Sequence, residues 1–128
     1  MYETYSARGL QILASPCNQF GAQEPWPEQQ VKDWVTSTYN IEFPLLSKID
    51  VKGDNTSKLY KHMTAIRPED EIKWNFFKYL LDGEGNFVKF ASHREHPDEL
   101  IPDIERLLSQ WSINFLVRKK KNLLRLRF

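Results

Sequence analysis

The sequence predicts an α/β domain built on a mixed β-sheet flanked by helices, and three observations carry that expectation. A short apolar strand, Leu10-Gln11-Ile12-Leu13-Ala14, breaks at Pro16 into a run of side-chain amides. A strand that opens into a polar loop is where open α/β sheets build their sites. Two apolar runs, WNFFKYLLD and NFVKFA, flank turn residues between Asp82 and Asn86 and read as a β-hairpin. Apolar residues at helical spacing separate and follow these strands, so the order strand, helix, extended piece, hairpin, helix is that of a mixed sheet covered by helices.

Each element has its own local signal. Tyr2 and Tyr5 are three apart and Gly9 is a natural stop, so Met1 to Arg8 reads as the tail of a helix. With no cap and no strand before it, this start suggests a chain truncated at its N-terminus. The strand Leu10 to Ala14 is expected to be buried. A helix begins at Pro27-Glu28, with proline in its first turn and acid near its positive end. Val31, Trp34, Val35 and Thr38 give that helix one face, and Asn40 ends it. Phe43 to Val51 reads as an extended piece closed by the turn Gly53-Asp54-Asn55. Leu59, Tyr60 and Met63 predict a short helix, and Arg67 to Glu71 a polar loop. The hairpin is expected to start near Trp74. The last helix starts at Pro97 or Pro102; proline breaks a helix begun much earlier, which favours Pro102. Its apolar face is Leu100, Ile101, Ile104, Leu107, Leu108 and Trp111.

The chain has 128 residues, 41% of them hydrophobic and 27% charged, which suits one soluble globular domain. No apolar run is long enough for a membrane span, and the N-terminus has no signal-peptide pattern. A single cysteine excludes an internal disulfide and fits a reducing, cytoplasmic location. The net charge of +1 hides an asymmetry. Residues 118–128 hold six basic and no acidic residues, leaving 12 basic against 17 acidic before them, a net of −5.

Two polar stretches hold the candidate site. After Pro16 come Cys17, Asn18, Gln19, Gly21, Gln23 and Glu24; far along the chain, Trp74-Asn75 opens the first hairpin run. Amides and an indole N–H are neutral donors, able to hold an anion without neutralising it. PCNQFGAQEP followed by KWNFFKYLLD closely resembles the glutathione peroxidase family, and YNIEFPLLSKIDVKGDN resembles its phospholipid-hydroperoxide branch. The resemblance covers Met1 to about Trp111. It implies a thioredoxin-like fold lacking its N-terminal strands over residues 1–111, followed by a basic tail over 112–128. It also implies reduction of hydrogen peroxide or lipid hydroperoxides by a thiol, in the response to oxidative stress. Glutathione or thioredoxin is then the reductant, no further cofactor or metal is expected, and the protein is expected to be a monomer without nucleic-acid partners.

By the same resemblance Gln23, Trp74 and Asn75 are three of four catalytic residues. Their donors would favour the charged form of a thiolate or selenolate nucleophile, which peroxide oxidises to a sulfenic or selenenic acid. The fourth residue, the nucleophile, is absent from these 128 residues, so the chain as written is expected to be inactive. Thr36 stands where thioredoxin-using members carry a resolving cysteine, which points to the selenocysteine type. A selenocysteine codon read as a stop would explain a chain that restarts at the next Met.

Bland readings stand beside these. Cys17 is expected to be a small structural residue at a strand end. His62, His93 and His96 lack metal-ligand spacing. Asp50, Asp54 and Glu71 read as solvated charges. The tail VRKKKNLLRLRF could serve an anionic surface, or be an extension without function. A non-catalytic thioredoxin-like binding protein is the alternative for the whole chain.

Overall fold

A computed structural model describes residues 1–110; the expected basic tail, 112–128, and Trp111 lie outside the described residues. Helix α1, Tyr2–Tyr5, runs into a 3-10 turn, Ser6–Arg8. Gly9 ends it at φ 113°, a left-handed conformation that glycine adopts without a Cβ clash.

The next segment corrects the expected buried strand. Leu10 to Ala14 is extended but makes one isolated parallel bridge, Ala14 to Leu45. Ala14 N–H donates to Pro44 O at 3.0 Å, and Leu46 N–H donates to Ala14 O at 2.8 Å. Two prolines limit the ladder. Pro44 and Pro16 have no N–H to donate, so parallel pairing cannot spread from the bridge past either of them. Leu10, Ile12 and Ala14 are half-buried, while Leu13 is 55% exposed. Burial here is one-sided.

Helix α2, Glu28–Tyr39, follows Pro27 and stops at Asn40, whose left-handed backbone directs its N–H to Thr36 O at 2.9 Å. Of its expected apolar face only Val31 is buried; Trp34 is exposed and packs edge-on against Trp26 and Tyr39. The extended piece ends in buried Val51 and in a turn closed by Thr56 N–H to Gly53 O. Helix α3, Lys58–Ile66, is capped by Ser57, whose hydroxyl accepts from Tyr60 N–H, and buries Met63.

Strands β1, Lys78–Leu81, and β2, Phe87–Ala91, form the antiparallel hairpin, with an irregularity between Leu80 and Leu81. The first strand starts at Lys78 rather than near Trp74, because Trp74-Asn75-Phe76 is a turn in which Phe76 has φ 63°. A left-handed residue cannot continue a ladder. The C-terminal helical segment also begins earlier than favoured. Pro97–Leu100 form a 3-10 turn capped by a reciprocal His96–Glu99 box, and α4 continues over residues 101–110. Pro102 lies in the first α-helical turn, where an N–H has no intrahelical partner to lose.

Among the described residues, then, the mixed sheet is a two-stranded antiparallel pair plus one parallel bridge. The main core cluster joins α1, β2 and α4 through Tyr5, Ala91, Leu100, Ile104 and Leu108. Phe20, Val31, Val51 and Met63 are buried outside it.

Candidate functional site

The loop that follows Pro16 is shaped by its own amides. Asn18 Oδ1 accepts Glu24 N–H at 2.9 Å and closes the loop on itself. Between them Gly21 and Ala22 have φ of 69° and 49°, a left-handed pair that reverses the chain. Gln19 ties the loop to the far side. Its Oε1 accepts the N–H groups of Val51 and Lys52 at 2.8 and 3.1 Å, and its Nε2 donates to Lys52 O at 2.8 Å. One side chain thus satisfies three backbone groups of another segment. Lys48 adds a second tie, its Nζ donating to Glu24 O and Trp26 O at 2.6 and 2.7 Å.

This tethered loop meets the turn before β1. Phe20, 4% exposed, packs against Trp74 with ring centroids 6.1 Å apart. A Cβ at Gly21 would stand 3.4 Å from the Trp74 ring and 3.5 Å from the Gln23 side chain, so the small residue lets the indole approach. Asn75 Nδ2 donates to Gln23 Oε1 at 2.9 Å and to Phe20 O at 3.5 Å. All three predicted site residues are therefore brought together across 52 positions of sequence.

The chemistry of the group follows from the direction of those bonds. Asn75 occupies the Gln23 oxygen, which turns the Gln23 Nε2 away as a donor. The Trp74 indole, 43% exposed, and the Gln23 Nε2 make no hydrogen bond among the described residues. Open N–H donors on neutral side chains, around an aromatic wall, suit an anion or a polarised oxygen.

Cys17 keeps other company. Its Sγ accepts Gln19 N–H at 3.5 Å and lies 3.8 Å from Gln19 Oε1, half-buried. Burial pushes the neighbouring Tyr60 phenol up; a hydrogen bond with Ser15 works against the rise and Cys17 adds to it. Sequence reasoning had Gln19 and Gly21 within the amide-rich run but assigned them no part. Lys48 and Lys52 carried no local signal, because their places depend on a loop distant in sequence. Among the described residues no group of three or more His, Cys, Asp or Glu could hold a metal.

Known proteins share this arrangement of segments. A family model described as glutathione peroxidase matches residues 1–64. A probable phospholipid hydroperoxide glutathione peroxidase from Citrus sinensis is 44% identical over 111 residues, covering 84% of this chain and 66% of that protein. A hydroperoxy fatty acid reductase, gpx1, from Synechocystis is 39% identical over 117 residues, covering 84% and 69%. The chain thus spans about two thirds of the length of these relatives. The solved structure of Trgpx in apo form superposes with a TM-score of 0.66 at 25% identity, covering 84% of this chain and 65% of that one. That of T. cruzi GPX1 gives 0.63 at 29% identity, covering 84% and 66%.

Proposed function

The chain belongs to the glutathione peroxidase family, with its thioredoxin-like fold, and on that premise we propose that Gln23, Trp74 and Asn75 form the donor side of a thiol-dependent peroxidase site. The observation that carries the reading is the 2.9 Å bond from Asn75 to Gln23, which occupies the Gln23 oxygen and leaves its Nε2 as a donor, with the Trp74 ring against the same loop. In the proposed cycle a thiolate or selenolate attacks one peroxide oxygen. An S–O or Se–O bond forms, the O–O bond breaks, and the alcohol or water departs with a proton. A first reducing thiol displaces water from the resulting acid to give a mixed bond. A second thiol releases the nucleophile and leaves as a disulfide. Gln23 and Trp74 would donate to the anion before attack, and Asn75 would hold Gln23 in the donating orientation.

The substrate class is hydrogen peroxide or a lipid hydroperoxide, and the reductant is glutathione or thioredoxin. No further cofactor and no nucleic acid takes part. The peroxidase-like unit is residues 1–111 with a basic tail at 112–128, working as a cytoplasmic monomer. Among the described residues no helix is long and apolar enough to cross a membrane.

On this reading the 128 residues by themselves supply no nucleophile to these donors; what supports it is that the hydrogen bonds of Cys17, the single cysteine, are with Gln19. That observation also favours the second reading, a non-catalytic thioredoxin-like binding protein. Peroxide-dependent oxidation of glutathione separates the possibilities. The chain is expected to show negligible turnover, unchanged in Cys17→Ser. Robust turnover abolished by Cys17→Ser would make Cys17 the nucleophile and overturn the assignment. Supplying the nucleophile-bearing segment of a relative in trans should produce activity lost in Gln23→Ala; activity indifferent to Gln23 would reject its donor role.

A further inference from the structure

We propose that the cavity between the start of α2 and the turn before α3 binds a small organic cation, a quaternary ammonium ion of the choline class. Its volume is about 650 Å³, and Trp26, Glu28, Lys48, Asp50, Asn55 and Ser57 are among the residues that line it. None of them belongs to the Gln23–Trp74–Asn75 group, so the inference is independent of the peroxidase reading.

The lining charges fit one added cation. Asp50 is half-buried, and its carboxylate has no hydrogen-bond or ion-pair partner among the described residues. Glu28 accepts the Lys48 backbone N–H at 3.1 Å, a neutral donor that leaves its charge unpaired. Lys48 is the single cation of the lining, and its Nζ is held by two carbonyls, Glu24 O and Trp26 O, at 2.6 and 2.7 Å. Two carboxylates against one ammonium give the lining a formal charge of −1. A ligand of charge +1 balances it.

The aromatic side of the cavity narrows the class of cation. Trp26 is 42% exposed, and the Trp34 ring, 45% exposed, stands edge-on to it at 6.1 Å and 79°. Tyr39, 63% exposed, continues the cluster at 5.4 Å and 83° from Trp34. Three exposed rings in contact exceed the scattered apolar residues of an ordinary surface. Indole is the strongest side-chain partner for a cation held over a ring face, and quaternary ammonium groups are the ligands that such faces recognise. A trimethylammonium group has no N–H to satisfy, so it needs only ring surface and a carboxylate nearby. A metal ion needs more ligands: among the described residues no group of three or more His, Cys, Asp or Glu could hold one.

The test is an NMR titration of the full chain, followed at the amides of Asp50 and Asn55. The ligands are choline, its neutral carbon isostere dimethylbutanol, and ethanolamine, the primary amine of the same skeleton. Choline is expected to bind saturably and about fivefold more tightly than either, the scale of a partly exposed cation over an indole. Asp50→Asn should remove most of the preference over dimethylbutanol, and Trp26→Leu should lower choline affinity about fivefold. Asp50→Asn keeps the size of a side chain without a described partner, so it tests the charge even where Trp26→Leu disturbs the fold. No saturable shift with choline, equal affinity for its neutral isostere, tighter binding of ethanolamine, or a preference untouched by Asp50→Asn would overturn the proposal.

Discussion

Glu105 receives both arms of the Arg8 guanidinium, at 2.8 and 2.6 Å, and so staples α4 to the 3-10 turn after α1. The Arg8 hydrogen bond, and after it one from Tyr5, hold the Glu105 carboxyl below the usual glutamate range; the same contact raises Tyr5. A carboxylate whose folded pKa is depressed contributes stability above its unfolded pKa and loses it as pH falls through the folded value. Glu105→Gln should therefore lower the urea midpoint at pH 7, with the gap to the parent chain closing toward pH 3. A gap that persists in acid would show that the pair acts by packing rather than charge. Gln19 shows the limit of reading residues singly. Its amide is visible in the sequence, but the three backbone groups it satisfies lie on Val51 and Lys52, and nothing local marks them.

The elements divide by how local their signals are. α2, α3 and the hairpin loop announce themselves through Pro27 and Asn40, the spacing of Leu59, Tyr60 and Met63, and the turn residues from Asp82 to Asn86, because caps and turns are closed by neighbours in sequence. The hairpin loop is held by Asp82. Its Oδ1 accepts Glu84 and Asn86 N–H groups at 2.9 Å, and Gly85 turns the chain at φ 88°. A Cβ at Gly85 meets nothing within 4 Å, so substitution there costs backbone strain alone. Gly85→Ala should destabilise the hairpin by about 1 kcal/mol. Amide exchange should quicken over Lys78–Leu81 and Phe87–Ala91 and stay constant in α3; uniform quickening would mean that the hairpin unfolds only with the rest of the chain. The strand starts were harder to read. Apolar runs at 10–14 and 74–77 look like strands, yet one is bounded by prolines and the other interrupted by Phe76.

At the scale of the whole molecule, burial is divided. One cluster joins α1, β2 and α4, and Phe20, Val31, Val51 and Met63 lie outside it. No large described side chain is completely buried, and Leu13, Trp34 and Phe76 stand exposed. The N–H groups of Gln11, Ile12 and Leu13 make no backbone hydrogen bond among the described residues. An unpaired edge beside exposed apolar side chains is a template for association. Ordering costs about 1–2 kcal/mol per residue and must be offset by burial, so the isolated chain is expected to unfold with low cooperativity and to aggregate. Urea unfolding of the monomer should have a slope well below that of a full-size domain. A steep single transition would show that the two buried groups fold as one.

By itself the sequence determined α2 with its stop at Asn40, the short helix α3, the hairpin turn and, through two motifs, the family, and it offered Gln23, Trp74 and Asn75 as candidate donors. Those features depend on neighbours in the chain or on residue identity, and both are written in one dimension. Tertiary structure alone decided that Leu10 to Ala14 makes a single bridge, that Trp74 sits in a turn, and that Cys17 bonds with Gln19. It also decided that Asn75 holds Gln23 and that Lys52 overlies Phe20. Parallel pairing and side-chain convergence need a partner distant in sequence, and which partner arrives is set by how the segments pack.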